Sequence, residues 1–162
     1  MQDPLSGYRV IDTTAMVSGP VATQQLADQG ADVIKVERPG VGDFTRLAAN
    51  QRHGMSASYL NNNRNKRSVA LDLKSDDGLA AMKRLVAQAD VFVQNFRPGV
   101  ADRMGIGYEA LAEINPMLIY VSISGFGDTG PYASRPVYDP LIQGLSGLAS
   151  VQGGAGDARP RL

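Results

Sequence analysis

Residues 8–38, YRVIDTTAMVSGPVATQQLADQGADVIKVER, constrain the fold more than any other stretch of this chain. Tyr8 to Thr13 is short, β-branched and apolar, the composition of a buried strand. Ser18, Gly19 and Pro20 then signal a helix start, a cap-type residue followed by proline near the first turn. Gln24 to Gln29 carries the helix and Gly30 ends it. Ala31 to Glu37 reads as a second buried strand, with Arg38 and Pro39 just beyond its end. Strand, helix and strand within about 30 residues make a βαβ unit, which implies a right-handed crossover and a parallel sheet. Ligands of such sheets gather at the carboxyl ends of the strands. Those ends are Thr13–Val17 and Glu37–Arg38, and the chemistry is expected along that edge.

The remaining chain extends the pattern. GVGDFTRLAANQRHGMSASYLNNNRNKRS is polar and rich in Gly, Asn and Arg, and reads as a long loop with one short helical turn near Ser56–Leu60. A loop of that length inside a compact domain is functional or flexible. Val69 to Leu73 is the third strand. Ser75 caps a helix whose Leu79, Met82, Leu85, Val86 and Ala89 recur at helical spacing. Ala89 to Phe96 is the fourth strand, broken by Arg97, Pro98 and Gly99. Val100–Met104 forms a helical turn closed by Gly105, and Tyr108–Ile114 a short helix stopped by Asn115-Pro116. Leu118 to Ser124 is the clearest strand. The sheet is thus expected near 8–13, 31–37, 68–73, 90–96 and 118–124. GFGDTGPYASRPVYD follows as a Gly/Pro-rich loop, then a helix over Asp139–Val151 with Pro140 at its first position. The tail GGAGDARPRL has no periodicity.

Composition narrows the function. Sixteen basic and sixteen acidic residues balance, so no global field is available to hold nucleic acid or an anionic membrane. No apolar run approaches the roughly 20 residues that span a bilayer. The N-terminus lacks the charged and apolar regions of a signal peptide. Cysteine is absent, which removes disulfides, thiolate metal sites and a cysteine nucleophile. His53 is the single histidine, which argues against a multi-histidine metal site or a Ser-His-Asp triad. The expectation is a soluble, cytoplasmic α/β protein of one domain, without metal, nucleic acid or membrane.

Two nucleotide classes lose their usual marks. TTAMVSGP after the first strand lacks the G-x-G-x-x-G spacing of a dinucleotide site, although Glu37 could hold a ribose and Arg38 a 2′-phosphate. No G-x-x-x-x-G-K-[ST] phosphate loop is present. Better placed are Arg38, Lys74, Arg97 and Arg103, which follow strands and fall along one sheet edge. Together they would neutralise several phosphates, or each is an ordinary solvated loop charge; position alone leaves both open. Asn95-Phe96 puts an aromatic at a strand end, where it supports a planar base or belongs to the core. Asp12 is placed to orient a neighbouring loop, and Asp139 to act as a helix cap. Asp128 and Asp157 read as solvated, and His53 as a loop histidine rather than a base.

Five blocks, in order and spacing, resemble class III CoA-transferases: RVIDTTAMVSGPVATQQLADQGADVIKVERPGVGDFTR, NRNKRSVALDLKS, ADVFVQNFRPGVADRMGIGYEAL, NPMLIYVSISGFGDTGPYASRP and VYDPLIQGLSGL. The family includes formyl-CoA and carnitine CoA-transferases and, as a relative, α-methylacyl-CoA racemase. The resemblance implies a Rossmann-like parallel sheet with flanking helices, the N-terminal CoA-binding portion of a large domain, within an interlocked homodimer. It implies CoA contacts at Met16, Val17, Arg38, Leu71, Lys74, Asn95, Phe96, Arg97, Arg103 and Met104, the basic members holding the ADP phosphates. Tyr138 and Asp139 match positions near the thioester end. The racemase branch has an acid/base histidine at the position of Tyr138, so a tyrosine there favours transfer over racemisation.

The implied reaction moves CoA from an acyl-CoA to a carboxylic acid acceptor. An aspartate attacks the thioester, giving a mixed anhydride and then an aspartyl-CoA thioester. That aspartate is expected just after Leu162, because Asp157 aligns before it and not with it. Residues 1–162 are therefore expected to hold most of the CoA site without the nucleophile, the rest of the large domain or the small domain. The competing expectation is a non-catalytic CoA-binding or scaffold fragment that needs a complementary chain. In either case apolar surface is expected to lie bare along Asp139–Val151, at Leu141, Ile142, Leu145 and Leu148.

Overall fold

Alternation along each strand decides which way the sheet faces. Val10, Val33 and Val93 pack to one side with Ala27 and Ala31. Their neighbours Ile11, Ile34 and Phe92 pack to the other side with Met82, Val86, Ile106 and Leu111. Apolar residues on both faces are what a sheet sandwiched between helices requires. The computed structural model describes residues 3–48, 51–53 and 55–152. The tail and Asp157 lie outside the described residues.

In chain order the elements are β1 (Arg9–Asp12), α1 (Ser18–Asp28), β2 (Asp32–Glu37), a 3-10 turn (Phe44–Arg46), β3 (Gln51–Arg52), β4 (Met55–Ser56), α2 (Ala57–Asn63), β5 (Arg67–Ala70), α3 (Asp76–Val86), β6 (Val91–Gln94), α4 (Val100–Arg103), α5 (Tyr108–Ala112), β7 (Ile119–Ser122), α6 (Asp139–Ser146) and α7 (Leu148–Val151). Five strands form one sheet in the order β5-β2-β1-β6-β7. Every pairing is parallel, with Val10 opposite both Val33 and Val91. The chain leaves β1 toward β2 on one side and returns to β6 on the other. The order therefore reverses between β1 and β6, where a crevice opens at the strand carboxyl ends. All five expected strands are present. Among the described residues, no helix is long and apolar enough to cross a membrane.

Helix boundaries follow local chemistry. Ser75 Oγ accepts from the Gly78 amide at 3.1 Å, which caps α3 as expected. Asp76 and Asp77 in its first turn and Lys83 and Arg84 in its last complement the helix dipole. Met82 and Val86 on its inner face are completely buried. By contrast, α1 begins at Ser18 itself, with Val17 at the cap position and no capping side chain.

Four expectations need correction. Residues 40–66 are not a plain loop. Asp43 caps the 3-10 turn, Ser56 caps α2 by accepting from the Tyr59 amide at 3.3 Å, and β3 and β4 pair between them. The third strand starts earlier and ends at Ala70, because Asp72 turns the chain into the Ser75 cap. Asp139–Val151 is two helices, since Gly147 at φ 80° cannot continue an α-helix. Tyr138, not Asp139, occupies the cap position there, so Pro140 is the second helical residue.

The chain divides into two compact units, residues 1–123 and 124–162. In the first, Phe92 stacks on Tyr120 at 5.3 Å and Tyr108 meets Tyr120 edge-on at 5.9 Å, which ties β6, β7 and α5 together. In the second, Arg135 lies 4.3 Å over the Tyr132 ring, and Tyr132 meets Phe126 edge-on. Of the four residues expected to lie bare on its helices, Leu141, Leu145 and Leu148 are exposed and Ile142 is half-buried; Val151 is exposed as well.

Candidate functional site

One strand face changes character along its length. Val10 and Val33 fill it at the amino half, and Asp12, Lys35 and Glu37 follow at the same alternation toward the carboxyl half. All three charged side chains are buried. An ionised group survives there only if it is paired and hydrogen-bonded, and each is.

Asp12 accepts from the Thr14 amide at 2.9 Å, Thr14 Oγ1 at 2.5 Å and Thr23 Oγ1 at 2.7 Å. Its fourth partner is Lys66 Nζ at 2.9 Å, which also donates to the Pro20 carbonyl and Asn63 Oδ1. Burial pulls the Lys66 ammonium below its ordinary value although Asp12 opposes the change. Asp12 thus orients the loop after β1, as its position in the sequence suggests.

Glu37 is equally engaged. Arg46, Ser68 Oγ, Tyr59 Oη and the Asp43 amide all donate to it. Burial alone would push this carboxyl up, but the four donors outweigh it and hold it at about 2. Burial, joined by the adjacent Glu37 carboxylate, pushes the Tyr59 phenol up. A carboxylate so enclosed has no acceptor left for a ribose hydroxyl, which corrects the role considered for Glu37.

Lys35 completes the set. Its ammonium donates to the Thr14 carbonyl at 2.8 Å and stands 3.0 Å from Asp43 Oδ2, with both side chains 1% exposed. Burial works against the Asp43 carboxylate, but the Thr45 amide and Lys35 hold it below its ordinary value. The ammonium at that distance is the partner of Asp43 Oδ2, which accepts no hydrogen bond from any other group among the described residues. A lysine in the middle of the apolar run DVIKVE is a signal that sequence reasoning missed, because it demands a buried carboxylate nearby.

Lys35, Glu37 and Asp43 of this buried layer are among the residues lining a cleft of about 530 Å³ along the carboxyl edge of the sheet. Thr13, Thr14 and Ala15 after β1 form one wall. Leu71, Asp72, Leu73 and Lys74 after β5 form another, and Phe96 and Met104 close one end. Val41, Phe44 and Leu47 add an exposed apolar rim that the sequence reading did not single out.

The expected contact residues divide three ways. Arg38, Leu71, Lys74, Phe96 and Met104 line the cleft. Met16, Val17, Asn95, Arg97 and Arg103 sit on the segments that flank it rather than on its walls. The Asn95 amide is committed to the backbone of Ala15, accepting from its N–H at 2.9 Å and donating to its carbonyl at 2.8 Å. Tyr138 and Asp139 belong to the second unit, where the Gln143 amide donates to Asp139 within α6.

Among the cations of the first unit, the most deeply buried are paired, and exposed Arg52 and Arg84 away from the cleft have no ion pair among the described residues. Lys35, Lys66 and Arg46 are buried or half-buried and each meets a carboxylate. Arg38, Lys74, Arg97 and Arg103 are exposed, and none forms a side-chain ion pair among the described residues. Such an edge suits a polyanion. The loop beside it offers no backbone donors from Thr13 to Met16, because each amide is already bonded to Val93, Asp12, Asn95 or Asp43.

Known proteins of similar sequence and fold agree with one another. The chain is 46% identical over 151 residues to succinyl-CoA:glutarate CoA-transferase of Homo sapiens, covering 93% of this chain and 34% of that protein. It is 48% identical over 157 residues to succinate–glutarate CoA-transferase of Agrobacterium fabrum, covering 93% and 39%. The chain thus spans little more than a third of the length of these relatives. A solved structure, a CAIB/BAIF family protein from Brucella suis, superposes with a TM-score of 0.93 at 42% identity, over 100% of this chain and 44% of its own. The model of CoA-transferase family III matches residues 5–161, and the chain belongs to that family.

Proposed function

We propose that this chain supplies the CoA-binding part of an enzyme that moves CoA between an acyl-CoA and a carboxylic acid. The observation that carries the reading is the row of exposed, unpaired cations Arg38, Lys74, Arg97 and Arg103 along and beside a cleft at the sheet's carboxyl edge. CoA presents a pyrophosphate and a 3′-phosphate. Each charge-assisted contact to them contributes roughly 1.5–3 kcal/mol. With the loop amides engaged internally, the phosphates take their partners from side chains, which distinguishes this site from a glycine-rich phosphate loop. Phe96, Met104 and the rim of Val41, Phe44 and Leu47 offer apolar surface for the adenine and the pantetheine arm.

Family likeness supplies the rest of the proposal. By that likeness Met16 and Val17 contact CoA, Asn95 supports the site through the Ala15 backbone, and Tyr138 and Asp139 serve the thioester end. An aspartate outside these 162 residues attacks the acyl-CoA, forms a mixed anhydride and is converted to an aspartyl-CoA thioester. The CoA thiolate expelled on anhydride formation makes that thioester by displacing the donor carboxylate. The acceptor carboxylate then attacks the aspartyl-CoA and expels the thiolate, which attacks the acceptor acyl carbon of the new anhydride and restores the aspartate. The complete protein is an interlocked homodimer. Since the names of both relatives pair a succinyl donor or succinate with glutarate, we take the acceptor to be a short dicarboxylic acid.

The test is a transfer assay on the full-length protein with succinyl-CoA and glutarate, read by chromatography of the CoA products, beside calorimetric titration with CoA. Glutaryl-CoA formation supports the enzyme. Binding without transfer to glutarate or other dicarboxylates favours the non-catalytic CoA-binding protein, and failure to bind CoA removes both.

A further inference from the structure

The loop Thr13–Val17 is held by side chains that come from three other segments. Lys35 of β2 donates to the Thr14 carbonyl. Asp43, from the turn beyond β2, accepts from the Met16 amide at 3.3 Å and pairs with Lys35 at 3.0 Å. Asn95, just past β6, grips Ala15 through both polar atoms of its amide. Between these fixed points Met16 adopts φ 70°, a left-handed conformation that side chains other than glycine rarely take. The loop crosses the place where strand order reverses, between β1 and β6.

A dry ion pair is a poor way to stabilise a sheet, because desolvation of both charges offsets most of their attraction. Two apolar residues would fill the space of Lys35 and Asp43 equally well. What they would not do is bond the Thr14 carbonyl and the Met16 amide. Strain held by surrounding contacts at a binding edge is characteristic of preorganised sites.

We propose that Lys35, Asp43 and Asn95 are positioning residues for CoA: they fix the conformation of Thr13–Val17 and so shape the β1 wall of the cleft. Asn95 acts on the ligand through Ala15. The ligand named here rests on the CoA reading above, whereas the claim about the loop stands on its geometry. A loop released from these contacts populates the competent conformation only part of the time, and apparent affinity falls by that fraction.

The decisive variant is the double substitution Lys35→Met, Asp43→Leu in the full-length protein, which removes both charges and orphans neither. Its melting temperature is expected to fall modestly, because Asp43 also caps the 3-10 turn through the Thr45 amide. Amide exchange of residues 13–17, measured without ligand, is expected to quicken at least about tenfold while that of α3 is unchanged. KM for the acyl-CoA is expected to rise by about tenfold or more with kcat retained. Unchanged exchange in the loop, or faster exchange with unchanged KM, overturns the proposal. Should the double variant not fold, Asn95→Ala decides by the same two readouts. If the unsubstituted protein neither binds nor turns over CoA, the functional reading fails, and loop exchange alone then upholds or overturns the positioning claim.

Discussion

Arg46 closes on Glu37 as a fork, with Nη2 2.7 Å from Oε1 and Nε 2.7 Å from Oε2. The hold on this carboxylate makes stability depend on acid. Glu37 titrates at about 2 in the folded protein against an ordinary value of 4.5. As pH falls below about 4.5 the unfolded chain takes up this proton first. The stabilisation is therefore complete above that pH and is lost progressively down to about 2. It is on the order of 3 kcal/mol. Asp43, also held low, adds a change of the same sign. Urea midpoints measured between pH 5 and pH 2 should fall more steeply for the unsubstituted protein than for Glu37→Gln, and parallel curves would refute the assignment.

The same fork separates arginine from lysine. The guanidinium lies 3.8 Å over the Tyr59 ring while it bonds the carboxylate, a double role that a compact ammonium cannot reproduce. Arg46→Lys is expected to cost about 1–2 kcal/mol in chemical denaturation. Arg46→Met, which leaves Glu37 buried with its remaining donors, is expected to cost about 3 kcal/mol. Equal costs for the two would mean that charge alone matters here.

The sheet was legible because its strands announce themselves through β-branched runs such as VSIS and VFVQ, separated by capped helices. Their ends were less so: Asp72 ends the third strand through a turn that periodicity does not register. Arg38 and Lys74 could be placed on the cleft from their positions after strands. The Lys35–Asp43 pair could not, since nothing in the spacing says that a polar loop folds its one aspartate back under the sheet edge. Asn95 illustrates the same limit. The family resemblance implied a ligand contact there, and only the three-dimensional structure shows both polar atoms turned to Ala15.

Gly42 marks how tightly residues 39–46 are wound onto Glu37. It sits at φ 64°, and a Cβ there would lie 2.7 Å from Glu37 Oε2 and 2.8 Å from the Arg46 side chain. Gly42→Ala therefore combines backbone strain with a collision against the fork, at a cost of roughly 2–3 kcal/mol. Gly40, also at positive φ, has open space around it, so Gly40→Ala should cost only the backbone strain of about 1 kcal/mol. Thermal melts of the two variants side by side test the difference, and equal losses would show that the contact with Glu37 is relieved cheaply.

The cation edge can be tested against the opposite edge of the same sheet. Arg9 and Arg67 open their strands at the amino end and both pair with Asp32, at 2.9 and 2.6 Å. They carry the same charge as Arg38 and Arg103 and share none of their placement. If the carboxyl edge holds the CoA phosphates, Arg38→Ala and Arg103→Ala each weaken CoA binding roughly ten- to hundred-fold, while Arg9→Ala and Arg67→Ala leave it unchanged. Binding by the unsubstituted protein should also weaken with added salt, because the rim charges are open to screening. Dephospho-CoA then identifies the arginine that meets the 3′-phosphate: its substitution should cost far less with the dephosphorylated ligand, a coupling that a double-mutant style cycle isolates. Calorimetry on the full-length protein gives each affinity. Equal affinities for all four variants would return Arg38 and Arg103 to the status of solvated loop charges and leave the cleft without its phosphate anchors.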